Sequence, residues 1–158
     1  MITVYGAART ADTVETYLSG LAVPFEQLSI VLKDKPARGS YREKFQCFAF
    51  APELLRGEVL LTLHHEVRRE FASVGGGSLR LWTDRSGLRF EANIRGSREM
   101  VAEALRCRGV SVSFRASEES WDWHYDMPIR TVINVAHLAE ISLVSSPAYL
   151  TTYSCRGW

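Results

Sequence analysis

No stretch of this sequence approaches the roughly 18 consecutive apolar residues that a membrane-spanning helix requires, so no membrane partner is expected. Cysteine is scarce. Cys47, Cys107 and Cys155 are odd in number, widely separated and without a CxxC pair. That pattern suits neither a disulfide scaffold nor a thiolate zinc site, and a reducing, intracellular compartment is expected. Charge of one sign is lacking too, with 19 basic against 18 acidic residues and a formal net charge of +1. The basic residues, 16 of them arginine, are scattered, so no field recruits nucleic acid or an anionic membrane. Met1 to Tyr5 lacks the basic start and apolar core of a signal peptide, and no targeting segment is expected. Gly75-Gly76-Gly77 is followed by no Lys-Ser/Thr pair, so it is a mobile turn and not a phosphate loop.

What remains is an ordinary globular composition, 46% hydrophobic and 23% charged over 158 residues, enough for one domain over residues 1–158 with a single core. Val14 to Phe25 reads as extended structure, Lys33 to Ser40 as a surface loop, and Phe45 to Leu55 as room for a short helix. Glu58 to Leu63 is an apolar, β-rich run suited to a buried strand, and it ends directly at His64-His65. Ser78–Trp82 and Leu88–Ile94 alternate around Asp84-Arg85-Ser86-Gly87, a hairpin signal. Ser97 to Cys107 is the best helix, with Ser97 as its cap and Met100, Val101, Ala104 and Leu105 on one apolar face. Val110–Arg115, Ile129–Val135 and Leu138–Ser145 read as further strands. Strands outnumber helices, which predicts a β-rich α+β domain, a small barrel or curled sheet flanked by a few helices.

Three residue types stand where chemistry can use them. His65 follows a strand of the buried kind, and histidine titrates near working pH. Ser111 opens another strand just past Gly109, and a serine hydroxyl becomes a nucleophile once a base within reach takes its proton. Glu140 interrupts the apolar run Leu138–Val144, where a carboxylate is costly unless paired, and it qualifies to orient the imidazole. Residue type alone does not select these from the other serines and histidines. Glu140 reads equally as a solvent-facing residue or a structural ion pair.

Four stretches resemble the capsid maturation (prohead) proteases of tailed phages, of the HK97 type. Gly20-Leu21-Ala22-Val23-Pro24-Phe25 is similar to the family's Gly-x-x-x-x-Phe strand. Leu63-His64-His65-Glu66 stands where the family has Leu-x-Asn-His-Asp, and Gly109-Val110-Ser111-Val112-Ser113-Phe114 resembles Gly-x-Ser-x-Gly-Phe. Leu138 to Tyr149 resembles Leu-x-Glu-Val-Ser-Leu-Val-x-x-Pro-Ala-Tyr, the most specific of the four. The Asp84–Leu88 segment is similar to an Asp-x-x-Gly-Leu hairpin. The resemblance implies a serine endopeptidase with His65 as general base, Ser111 as nucleophile and Glu140 as third member. It implies the fold of herpesvirus assemblin, a small β-barrel surrounded by helices. The implied partner is the major capsid protein, whose scaffolding segment is cut, along with the protease itself, inside the immature capsid in the host cytoplasm. A homo-oligomer is compatible with this; no cofactor, metal or nucleic acid is expected.

The departures are informative. His64 replaces the usual asparagine and Glu66 the usual aspartate. Ser113 replaces a glycine, which makes it a fallback nucleophile on the same strand face as Ser111. The sequence ends at Trp158 where relatives often continue, as in a short or processed form. A metal hydrolase is the rival enzyme class, with His64, His65, Glu66, His124 and His137 as conceivable ligands. His65-Glu66-Val67-Arg68-Arg69 is not HExxH, and adjacent histidines on a strand point to opposite sides. A non-enzymatic assembly component that keeps the protease fold is the other alternative. Trp121, Trp123, His124 and Tyr125, with no basic stripe beside them, read as an edge or interface cluster and not a base-stacking platform.

Overall fold

The alternation in Leu88-Arg89-Phe90-Glu91-Ala92-Asn93-Ile94 decides the first sheet. Leu88, Phe90, Ala92 and Ile94 are buried, while the residues between them face outward. In the computed structural model, which describes residues 12–34, 39–124 and 126–156, this segment lies in β7 (Gly87–Ser97). It pairs antiparallel with β1 (Thr13–Pro24) on one side and β6 (Leu79–Thr83) on the other. The short β10 (Tyr153–Arg156) completes a four-stranded sheet in the order β10-β1-β7-β6.

The second sheet has six strands. Its path is β2 (Leu32–Asp34), β3 (Gly39–Phe45), β9 (Ile129–Val144), β4 (Leu60–Leu63) and β5 (Glu66–Ser73), with β8 (Gly109–Asp122) antiparallel along β9. β3 and β4 both run parallel to β9, against its first and second halves respectively. The expected break inside β9 is absent. Val132, Val135 and Leu138 are buried at a spacing of three, and register shifts in the β8–β9 pairing keep them inward without ending the strand. The two sheets enclose one core that includes Leu18, Phe45, Phe50, Leu61, Leu63, Phe90, Ile94, Ile141 and Leu143.

The strand-rich character agrees with the sequence. The described strands form two sheets and not one closed ring, because β9 is long enough to carry different parallel partners on its two halves. The described residues hold one α-helix, α1 (Arg98–Arg106). Ser97 caps it, its Oγ accepting from the Met100 amide at 3.2 Å, and Val101 and Ala104 are buried beneath it. The helix expected within Phe45–Leu55 is replaced by a single 3₁₀ turn at Leu54–Arg56. Both ends of the expected Lys33–Ser40 loop are strand, Lys33 pairing with Ser40 and Asp34 with Gly39 across β2 and β3, while residues 35–38 lie outside the described ones, as do Met1–Tyr5, Tyr125 and Trp158. Among the described residues no helix is long and apolar enough to cross a membrane.

The Pro-Ala-Tyr segment locks the end of β9 to the rest of the sheet. Gly109 opens β8 against Pro147, and a Cβ there would meet the proline ring at 2.5 Å, so only glycine fits. The Tyr149 hydroxyl donates to the buried Glu43 carboxylate at 3.0 Å, and Arg130 donates to its other oxygen at 2.9 Å. Burial, with the Glu43 carboxylate beside it, holds the Tyr149 hydroxyl well above the ordinary tyrosine range. Tyr149→Phe is therefore expected to cost about 1–3 kcal/mol at neutral pH, since a buried acceptor loses its donor. The folded chain keeps that proton while the unfolded chain releases it near pH ~10, so this tyrosine's stabilising share falls as pH rises further. Denaturant titrations should find the wild-type advantage narrowing above that pH; a constant gap would count against the buried bond.

Candidate active site

Three adjacent strands contribute polar side chains to one locality. β8 brings Ser111 and Ser113, β9 brings Glu140 and Ser142, and β4 brings Thr62 and the turn that follows it. The period of two places Ser111 and Ser113 on one face of β8, opposite Ser142 and Glu140 respectively. Thr62 and Ser142 are fully buried and Glu140 is only 6% exposed. A charge this deep is tolerable only with donors around it.

It has three. His65 Nδ1 lies 2.5 Å from Glu140 Oε1, and the Ser113 hydroxyl donates to the same oxygen at 3.0 Å. The Thr62 hydroxyl donates to Oε2 at 2.9 Å. His65 is delivered by a two-residue turn, in which Leu63 pairs with Glu66 while His64 and His65 take positive φ values of 51° and 61°. A two-residue hairpin loop with both centres left-handed matches the twist of its strands. Outside glycine that conformation costs roughly 1–2 kcal/mol per residue, and asparagine and histidine are among the residues found there more often. The His64 amide donates to the Leu143 carbonyl at 3.0 Å and the His65 amide to Ser142 Oγ at 2.8 Å, which hold the turn against β9.

The network assigns the tautomer. With a carboxylate at 2.5 Å, Nδ1 carries the proton, so Nε2 holds the free lone pair. Among the described residues Nε2 has no hydrogen-bond partner, and the side chain is 38% exposed, open to an incoming molecule. Ser113 Oγ lies on the carboxylate side, 3.3 Å from Nδ1, with its own proton committed to Glu140. Ser111 sits one pleat along, opposite Ser142, and its hydroxyl makes no hydrogen bond among the described residues. The structure thus brings His65 and Glu140 together, adds Ser113 to them, and leaves Ser111 on the shared face without a bond to the imidazole.

The family model of the caudovirus prohead serine proteases matches residues 5–156. The chain belongs to this family. In a family of serine peptidases the open question is which serine attacks, and the two candidates stand at opposite ends of the Glu140–Ser142 stretch. Among solved structures the fold is similar to that of the KSHV protease, crystallised with a hexapeptide phosphonate inhibitor. The match has a TM-score of 0.51 at 11% identity, covering 92% of this chain and 66% of that one. At that identity the likeness is one of fold, and this chain spans just under two thirds of the herpesvirus protease chain. No curated protein sequence matches.

Sequence reasoning missed Thr62 and Ser142. Each had a faint signal, a single hydroxyl interrupting an apolar run, but their roles depend on the parallel pairing of β4 with β9. Of the imagined metal ligands, no group of three or more His, Cys, Asp or Glu side chains among the described residues is arranged to hold an ion. Trp121 stacks on Trp123 at 5.1 Å between centroids and meets Tyr41 at 5.2 Å, at the far end of the β8–β9 hairpin from Ser111.

Proposed function

We propose that this chain is the capsid maturation endopeptidase of a tailed phage, cutting the scaffolding segment of the major capsid protein, and itself, inside the immature shell. Ser111 is the nucleophile, His65 Nε2 takes its proton, and Glu140 orients His65 and stabilises the imidazolium that forms. The observation that carries this reading is the His65–Glu140 contact at 2.5 Å, on a side chain that is 38% exposed and whose Nε2 has no partner among the described residues. Ser113 is a carboxylate donor in this scheme, because its position on the Nδ1 side keeps it from the basic nitrogen.

Substrate binding follows from the sheet edge. Among the described strands β8 pairs with β9 alone. The Val110 amide points away from β9, to Thr152 Oγ1 at 3.0 Å, so by alternation Val112 presents its N–H and C=O on that same edge, between the two serines and beyond the stretch that Thr152 and Ser154 cover. An extended peptide adds to such an edge by main-chain hydrogen bonds. The hexapeptide inhibitor of the KSHV protease is a ligand of suitable length.

The test is co-expression with the major capsid protein of the same phage and mass measurement of that protein. A trimmed N-terminus is expected with the wild-type chain and an untrimmed one with Ser111→Ala. Trimming that survives in the variant would remove Ser111 from the mechanism. No trimming by either would favour an assembly component without proteolytic activity.

A further inference from the structure

His65 hangs on a turn of two residues, and the residues on either side of it reach the same place. His64 Nε2 lies 3.4 Å from Glu103 Oε1 and 3.8 Å from Cys107 Sγ, at the C-terminal end of α1. On the other flank, Glu66 Oε1 lies 3.6 Å from Arg69 Nη1. Arg69 in turn grips Glu103 with both terminal nitrogens, Nη1 to Oε1 at 3.5 Å and Nη2 to Oε2. Glu103 is thus the common anchor of both flanks of the candidate base.

From this arrangement we infer that Glu103 is a positioning residue for the general base. Through His64 on one side and Arg69–Glu66 on the other, it fixes the β4–β5 turn against α1 and so keeps His65 Nδ1 on Glu140. The inference rests on His65 acting as base, as in the reading above. Displacement of α1 is then passed to the imidazole, because α1 carries Glu103 and the turn has no glycine to absorb the movement. Partly exposed ion pairs taken singly contribute little to stability. The expected consequence therefore lies in geometry, where a displacement of an ångström costs up to 10² in rate.

The experiment compares Glu103→Ala, Arg69→Ala, Arg69→Lys and His64→Asn with Glu99→Ala, an exposed control on the same helix. Peptide turnover, melting temperature and the low-field proton resonance of the His65–Glu140 hydrogen bond are read on each. Glu103→Ala should lower kcat about 10-fold, leave KM within about twofold and shift or broaden the resonance. Arg69→Lys should recover part of what Arg69→Ala loses. Asparagine at 64 suits the left-handed turn but is too short for Glu103, so His64→Asn combined with Glu103→Ala should lose less than the product of the two single losses. Wild-type kcat with an unmoved resonance in Glu103→Ala would overturn the proposal. So would a kcat loss that tracks a fall in melting temperature while the resonance stays in place. A moved resonance with unaltered turnover would uphold the clamp and refute His65 as the base.

Discussion

Ser111→Ala is expected to lower peptide cleavage by on the order of 10⁴ to 10⁶, the usual cost of losing the nucleophile in a serine hydrolase. Ser113→Ala should cost far less, on the order of 10-fold, because it removes one of three donors to Glu140 and leaves the nucleophile and base in place. The ranking follows from the imidazole's two ends. Nδ1 is taken by the carboxylate, so only Nε2 can accept a proton from an attacking hydroxyl, and Ser113 is on the wrong side to give it one. Labelling with a fluorophosphonate probe, then locating the adduct by peptide mass, reads the nucleophile independently of turnover. An adduct on Ser113, or the reverse ranking of the two variants, would transfer the role to Ser113. That result would require the imidazole to turn over and release Glu140.

The elements that sequence could reveal are those whose cause is local. β7 alternates cleanly because one of its faces is core, and α1 begins where Ser97 can cap it. β5, Glu66-Val67-Arg68-Arg69-Glu70-Phe71-Ala72-Ser73, was not legible. It is an edge strand, buried only toward its end, so charged residues blur its alternation. β10 is four residues long and exists because β1 offers it a partner, at Gly20, where a Cβ would overlap the Tyr153 carbonyl. The turn at His64-His65 lacked any glycine or Asn-Gly signal, since two histidines hold positive φ there by tertiary bonds to β9. Glu140 stood out because a lone carboxylate in an apolar run demands a partner. The identity of its donors did not, since Thr62 lies 78 residues away and reaches it only through a parallel crossover. Nor does a period of two say which end of an imidazole a hydroxyl on the shared face will meet.

Glu140→Gln is expected to lower turnover by roughly 10² to 10⁴ with folding largely retained. The amide has the carboxylate's shape but a single acceptor oxygen, while His65 Nδ1, Ser113 and Thr62 all direct hydrogens at this group. Whichever way the amide turns, its NH₂ faces at least one of those donors. If the oxygen stays on Thr62, the NH₂ meets Nδ1 and favours the tautomer with its proton on Nε2, which cannot accept from Ser111. If the oxygen stays on His65, the NH₂ faces Thr62, and the charge that stabilises the imidazolium is still gone. Both arrangements impair the proton transfer, and neither removes the nucleophile, which is why the loss falls short of that in Ser111→Ala. A carboxylate serving only as a structural partner predicts the opposite division: a lower melting temperature, with turnover per folded molecule unchanged. Activity and thermal unfolding measured on one preparation separate the two. Full turnover with a depressed melting temperature would take Glu140 out of the site, leaving His65 and Ser111 to act as a dyad whose imidazole is held by the turn alone.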